Sequence, residues 1–152
     1  MSKFKTYAKA IIIPVLVGAV VGFIISGFID YDSLEKPFLA PPSIVFPIVW
    51  SILYVLMGIS YGILDSNSEV DSEVNLIYYL QLFFNALWPI AFFVLKWRLF
   101  AFFWILALAV LIIIMIIKFY NRNKTAGLLQ IPYLLWTLFA TYLNISMYLL
   151  NR

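Results

Sequence analysis

Charged residues gather in a few short clusters, and between them run five uncharged, strongly apolar intervals: 10–29, 37–64, 74–95, 99–117 and 125–151. They hold 20, 28, 22, 19 and 27 residues. A helix rising about 1.5 Å per residue needs about 20 residues to cross a hydrocarbon layer roughly 30 Å thick. Each interval supplies one crossing, and none is long enough for two. A β-barrel would need alternating strands of about 10 residues, and the unbroken apolar runs 11–13 and 111–117 exclude it. The pattern predicts an all-α integral membrane protein, a five-transmembrane-helix bundle with helices about 8–29, 43–64, 74–95, 99–120 and 127–149. One domain covers 1–152. The first interval follows a basic start (Lys3, Lys5, Lys9) but is longer than a signal-peptide core, and no A-x-A site follows it, so it reads as an uncleaved helix.

The connections are short except for 30–42, where Lys36-Pro37 and Pro41-Pro42 prevent regular helix throughout. The stretch 65–73 is acidic, 96–98 is a tight turn and 121–124 a basic one. An odd number of crossings sets the termini on opposite faces. Six basic residues then lie on the N-terminal face (Lys3, Lys5, Lys9, Lys118, Arg122, Lys124) and four on the other (Lys36, Lys96, Arg98, Arg152), which makes the N-terminus cytoplasmic. Composition sharpens the class. The chain is 65% apolar and 11% charged, against about 45–50% and about 25% in ordinary globular domains. A mean hydropathy of +1.03 excludes a water-soluble enzyme. Without Cys or His there are no disulfides, no thiolate or imidazole metal ligands and no histidine bases, so no metal site and no cofactor are expected. The ten basic residues are too scattered for nucleic acid. No Asp, Glu, Lys or Arg lies within a span, which argues against a proton relay and against acid–base catalysis.

The polar residues of the spans are amides and hydroxyls: Gln81, Asn85, Thr137, Thr141, Asn144 and Ser146. Asn85 and Asn144 suit interhelical hydrogen bonding or contact with a ligand. Counted from the Pro-rich face, Trp50 and Trp88 lie about 10 Å deep, Asn85 and Ala140 about 15 Å, and Trp136 about 20 Å. Phe46, Trp50 and Tyr54 share a stripe at steps of four, as do Trp136, Ala140 and Asn144. Three helices thus present aromatic and amide groups in one half of the membrane. Trp97 and Trp104 suit an interfacial belt. Gly18, Gly22 and Ser26 in the first helix, and Gly58 and Gly62 in the second, are spaced for close helix contact within the chain or across a dimer.

These residues form patterns. Lys36-Pro37-x-x-x-Pro41-Pro42-x-x-x-Phe46-x-x-x-Trp50-x-x-Leu53-Tyr54-x-x-x-Gly58 resembles the second-helix motif of the translocator protein family, also called TspO/MBR, tryptophan-rich sensory protein or peripheral-type benzodiazepine receptor. Gln81-Leu82-x-x-Asn85-x-x-Trp88-Pro89-x-x-Phe92-Phe93 is similar to its third helix, and Pro132-Tyr133-Leu134-x-Trp136-x-x-Phe139-Ala140-Thr141-Tyr142-Leu143-Asn144 to its fifth. One departure is Leu39, where the family usually carries Trp; it removes an indole from the loop over the pocket.

The resemblance implies a five-helix bundle, often a homodimer, with a pocket beneath the first loop. Its ligand-binding candidates are Phe46, Trp50, Tyr54, Asn85, Trp88, Trp136, Ala140 and Asn144, with Pro41 and Pro42 as the loop cap. The implied partners are protoporphyrin IX and haem, isoquinoline carboxamide and benzodiazepine-type drugs, and in animals sterol. If light-dependent degradation of protoporphyrin is real, the implied catalytic residues are Trp50 and Trp136. The residues themselves agree in part: a flat macrocycle wants ring faces and an orienting amide. Without His or Cys, haem iron would need a well-placed Met or Tyr, so metal-free porphyrin is expected to bind at least as well as haem. Leu143, Tyr148 and Arg152 also fit a loose sterol pattern. The Ile- and Lys-leaning, short-looped chain looks bacterial, which implies a cell membrane; a eukaryotic member would sit in the mitochondrial outer membrane.

Overall fold

Polar side chains at the loop ends set where the helices begin. In the computed structural model, which describes residues 2–152, Ser2 accepts a hydrogen bond from the Lys5 N–H and starts α1 (Lys3–Ile25). Asp71 accepts from the Val74 N–H ahead of α3 (Ser72–Pro89), and Asn123 from the Ala126 N–H ahead of the short α5 (Lys124–Leu128). Each such cap satisfies a donor that the first helical turn leaves without a partner. The remaining helices are α2 (Val45–Ser66), α4 (Arg98–Arg122) and α6 (Ile131–Asn151). The described residues therefore hold five segments long and apolar enough to cross a membrane, with α5 and α6 together forming the fifth. The first helix starts at Lys3 rather than near residue 8, because its basic residues extend the helix beyond the apolar interval.

The helices form a ring. α1 packs on α2 and α3, α3 on α4, and α4 on α6, and large rings close α2 against α6, with Trp50 and Tyr133 centroids 6.3 Å apart. The small-residue positions work inside this chain. A Cβ at Gly58 would stand 2.5 Å from the Ile11 Cα and 2.7 Å from the Ala10 carbonyl oxygen. At Gly18 it would strike the Tyr54 ring, and at Gly62 it would lie 2.7 Å from Tyr7 Cδ1. Gly22 is open on that side.

Trp104 departs from the belt expected of it. Its Nε1 donates to the Phe84 carbonyl at 2.8 Å, and its ring stacks on Phe84 at 4.1 Å, so it fastens α4 to α3. Trp97 is 57% exposed at the end of its turn. Pro89 ends the α-helical part of α3, and a wider π turn follows over Ile90–Val94, closed by Leu95 N–H to the Ile90 carbonyl at 3.0 Å. On the N-terminal face, Arg122 pairs with Asp71 at 2.8 Å and Glu73 at 3.1 Å, tying α4 to the start of α3.

Candidate functional site

α1 and α2 are locked together where Gly58 and Gly62 lie, and beyond Gly18 a space remains between α1, α2, α3 and α6. This cavity, about 470 Å³, occupies the half of the bundle nearest the Pro-rich loop. Its walls are almost wholly apolar. Phe46, Trp50, Tyr54, Asn85, Trp88, Ala140 and Asn144 all line it, joined by Phe92 and Phe93 from the end of α3 and by Leu143 and Met147 from α6. Val15, Ala19 and Gly22 on α1, and Pro47, Ser51 and Val55 on α2, line it too and are exposed. The α1 and α2 walls are thus the most exposed part of the cavity.

Trp136 is the exception among the eight binding candidates. It lies against Val49, Leu53, Pro132 and Phe139 in a shallow groove on the outer side of α2 and α6. A step of four residues overshoots a helical turn by about 40°, so two steps carry Trp136 about 80° from Asn144. Its ring meets Phe46 edge-on at 5.8 Å, which supports the cavity wall from behind, and its enclosed Nε1 has no hydrogen-bond partner among the described residues. The same arithmetic brings Tyr133, eleven positions before Asn144, to within about 20° of it. Sequence reasoning passed over Tyr133 as a site residue, although that spacing was the available signal.

Two amides organise the polar side of the site. Asn85 accepts from the Tyr54 hydroxyl at 2.6 Å and donates to Tyr133 at 2.8 Å. Tyr133 donates to Gln81 at 2.7 Å, and Gln81 donates to the Met57 sulfur at 3.5 Å. Asn144 accepts from Trp88 Nε1 at 2.8 Å and donates to the Arg98 carbonyl at 2.8 Å. Both amides therefore join helices and face the cavity at once. Each amide also has a second N–H and further lone-pair capacity to offer.

The loop above is tied down at several points. Asn151 exchanges hydrogen bonds with the Glu35 backbone, both 2.9 Å, and Tyr142 donates to the Phe38 carbonyl at 2.6 Å. Leu39 itself is exposed, with φ of 74°, so the indole missing there is not what holds this loop. Pro41 and Pro42 do not line the cavity. Pro41 acts through Tyr31, whose hydroxyl donates to its carbonyl at 2.5 Å and whose ring meets Phe46 at 5.0 Å. Ile29 and Tyr31 line the cavity, and Asp30 between them accepts from Arg98 at 2.6 Å and Lys96 at 3.0 Å. Partial burial pushes the Asp30 carboxyl up, but these two cations outweigh it and hold it below its ordinary value.

A profile of the TspO/MBR family matches residues 10–150. The chain belongs to that family. It is 43% identical over 122 residues to the tryptophan-rich protein TspO of Archaeoglobus fulgidus, covering 80% of this chain and 79% of that one. It is 34% identical to the tryptophan-rich sensory protein of Cereibacter sphaeroides, covering 80% and 76%. It is 32% identical to the translocator protein of Ovis aries, covering 83% and 77%. As a TspO/MBR member with five apolar helices, it is a multi-pass membrane protein. The part of its cavity least visible in the motifs is α1, which contributes only apolar and small residues such as Val15, Ala19 and Gly22.

Proposed function

We propose that this TspO/MBR protein binds porphyrins such as protoporphyrin IX in the cavity beneath the first loop, in the transport, sensing or regulation of tetrapyrroles. One observation carries the reading: an apolar slot of about 470 Å³ walled by Phe46, Trp50, Trp88 and Phe92, with the fixed amides of Asn85 and Asn144 on one side. Its size and lining suit a rigid, mostly apolar ligand with a few polar edges. The same slot suits isoquinoline carboxamide and benzodiazepine-type drugs. The words sensory and translocator in the names of the relatives agree with a binding role of this kind. The charge bias favours an N-terminus in the cytoplasm, and the Ile- and Lys-leaning, short-looped sequence favours a bacterial cell membrane.

The test is a dark titration of purified protein in non-ionic detergent with protoporphyrin IX, following tryptophan quenching. Saturation near one site per chain is expected. Trp50→Phe, which trims a ring facing the ligand, forfeits stacking worth about 0.5–1.5 kcal/mol, or roughly two- to twelvefold in affinity. Trp136→Phe, outside the cavity, leaves affinity unchanged. Quenching that never saturates, or that ignores Trp50→Phe, overturns the reading.

A further inference from the structure

Three walls of the cavity are bonded to one another and the fourth is not. Tyr54 on α2, Asn85 on α3 and Tyr133 on α6 form one hydrogen-bonded series, and Trp88 on α3 bonds Asn144 on α6. The α1 wall has nothing comparable. Of residues 15–29 only Val21 is buried, and among the described residues none of their side chains hydrogen-bonds to another helix. The helix is held instead at its two ends. Pro14 lies buried inside it, offers no N–H to the Ala10 carbonyl and crowds the turn below with its ring. Just below Pro14, Gly58 lies against the Ala10 and Ile11 backbone and Gly62 against the Tyr7 ring. Above Pro14 the close contact is Gly18 with the Tyr54 ring, while Gly22 and Gly27 have nothing within 4 Å of where a Cβ would stand. The helix stops at Ile25, and after the turn 26–29 the chain is fixed again: Asp30 accepts from Arg98 and Lys96, and the buried Tyr31 donates to the Pro41 carbonyl.

We infer that residues 15–25 form a swinging wall through which the cavity fills and empties. They move outward as one helical unit about Pro14, with the Gly58–Gly62 clamp below and the Asp30 anchor above as the fixed ends and the turn 26–29 taking up the motion. Few buried contacts make a segment cheap to displace. Swinging it breaks no side-chain hydrogen bond to another helix, and lipid chains replace the apolar contacts it gives up. Phe23 stands nine residues beyond Pro14, about 14 Å along the axis, so a change of about 20° at the proline moves it by about 5 Å. The device serves any ligand of this cavity and so goes beyond the porphyrin reading.

The chain has no Cys, so introduced pairs take spin labels selectively. Phe23→Cys with Phe103→Cys reports the wall above Pro14, and Phe4→Cys with Ile117→Cys the clamped part below; all of these positions are exposed. Distances are read by pulsed electron resonance in lipid nanodiscs, alone and combined with Pro14→Ala or Asp30→Asn. Pro14→Ala restores the missing N–H and is expected to narrow the upper distance distribution. Asp30→Asn weakens the anchor and is expected to broaden it by about 5 Å, the swing worked out above. The lower pair is expected to stay unchanged in both. Dark stopped-flow with protoporphyrin IX is expected to follow suit. Asp30→Asn raises the association and dissociation rates together by about fivefold, as loss of a partly exposed ion pair allows, Pro14→Ala lowers both, and affinity stays unchanged. An upper pair that ignores both variants overturns the inference. Equal broadening of both pairs also overturns it, since that assigns Pro14 and Asp30 to overall stability. A wall that moves while both rates keep their wild-type values overturns it as the entrance. Failure of protoporphyrin IX to saturate wild type overturns the porphyrin reading instead, and the spin-label distances then decide the swinging wall by themselves.

Discussion

Asn85→Ala removes the residue on which two helices and the cavity wall converge. The Asn85 amide accepts from Tyr54 and donates to Tyr133, and all three side chains are buried. Interhelical hydrogen bonds in membrane proteins average about 0.6 kcal/mol each, so the two together come to about 1.2 kcal/mol. The Tyr54 hydroxyl is then left without its acceptor, which costs about 1–3 kcal/mol more. Tyr133 still donates to Gln81 and is less affected. The expected destabilisation is at least about 2 kcal/mol, lowering the melting temperature in detergent by roughly 4–8 °C for a chain of this size. A double-mutant cycle isolates the cause. In the Asn85→Ala background, Tyr54→Phe removes the hydroxyl that has lost its partner, so the double variant should melt above the sum of the two single losses, with a coupling of about 1 kcal/mol. Strict additivity, within the roughly 0.3–0.5 kcal/mol usual for independent sites, refutes the claim that this bond organises the wall.

The glycines of α1 and α2 should rank by what stands opposite them. Gly58→Ala meets backbone and Gly18→Ala meets the buried Tyr54 ring that Asn85 holds, so each is expected to lower stability by about 1–3 kcal/mol, whereas Gly22→Ala meets nothing and is expected to cost nothing; thermal melts of the three variants decide it. Asp30 should carry a pH signature. Its carboxyl is held below the ordinary value of 3.8, so its stabilising contribution is fully present above that unfolded value and is lost as pH falls through the lower folded one. Melting temperatures of wild type and Asp30→Asn should therefore differ by a constant amount above about pH 4 and converge in more acidic solution; a gap that grows on acidification contradicts the assignment.

Much of the molecule can be read from its letters because the membrane imposes simple rules. Five apolar intervals give five helices, since no other open structure satisfies the backbone in hydrocarbon. The depths of Trp50, Trp88 and Asn85 follow from the rise per residue alone, and all three line one cavity. What stayed hidden has equally plain causes. α1 supplies a wall with residues that carry no chemical signal, so Gly18 and Gly22 read as assembly motifs instead of as the floor under Tyr54 and an open flank. The stripe Trp136–Ala140–Asn144 hid a rotation that accumulates with each step of four. Trp104 read as an interfacial residue because its bond to the Phe84 carbonyl depends on how α3 and α4 meet. The loop ties through Asn151 and Tyr142 join residues more than a hundred positions apart, a separation no local pattern records.

The hydrogen-bonded file from Tyr54 through Asn85 and Tyr133 to Gln81 and Met57 stops the cavity short. Beyond it Tyr78, Leu64 and Phe119 are fully enclosed. The cavity is consequently closed at its inner end by polar groups already paired with one another. Extending it toward the opposite face would break that whole file in a medium with no water to replace it, so the paired side chains, and not the apolar walls, set how deep the cavity reaches.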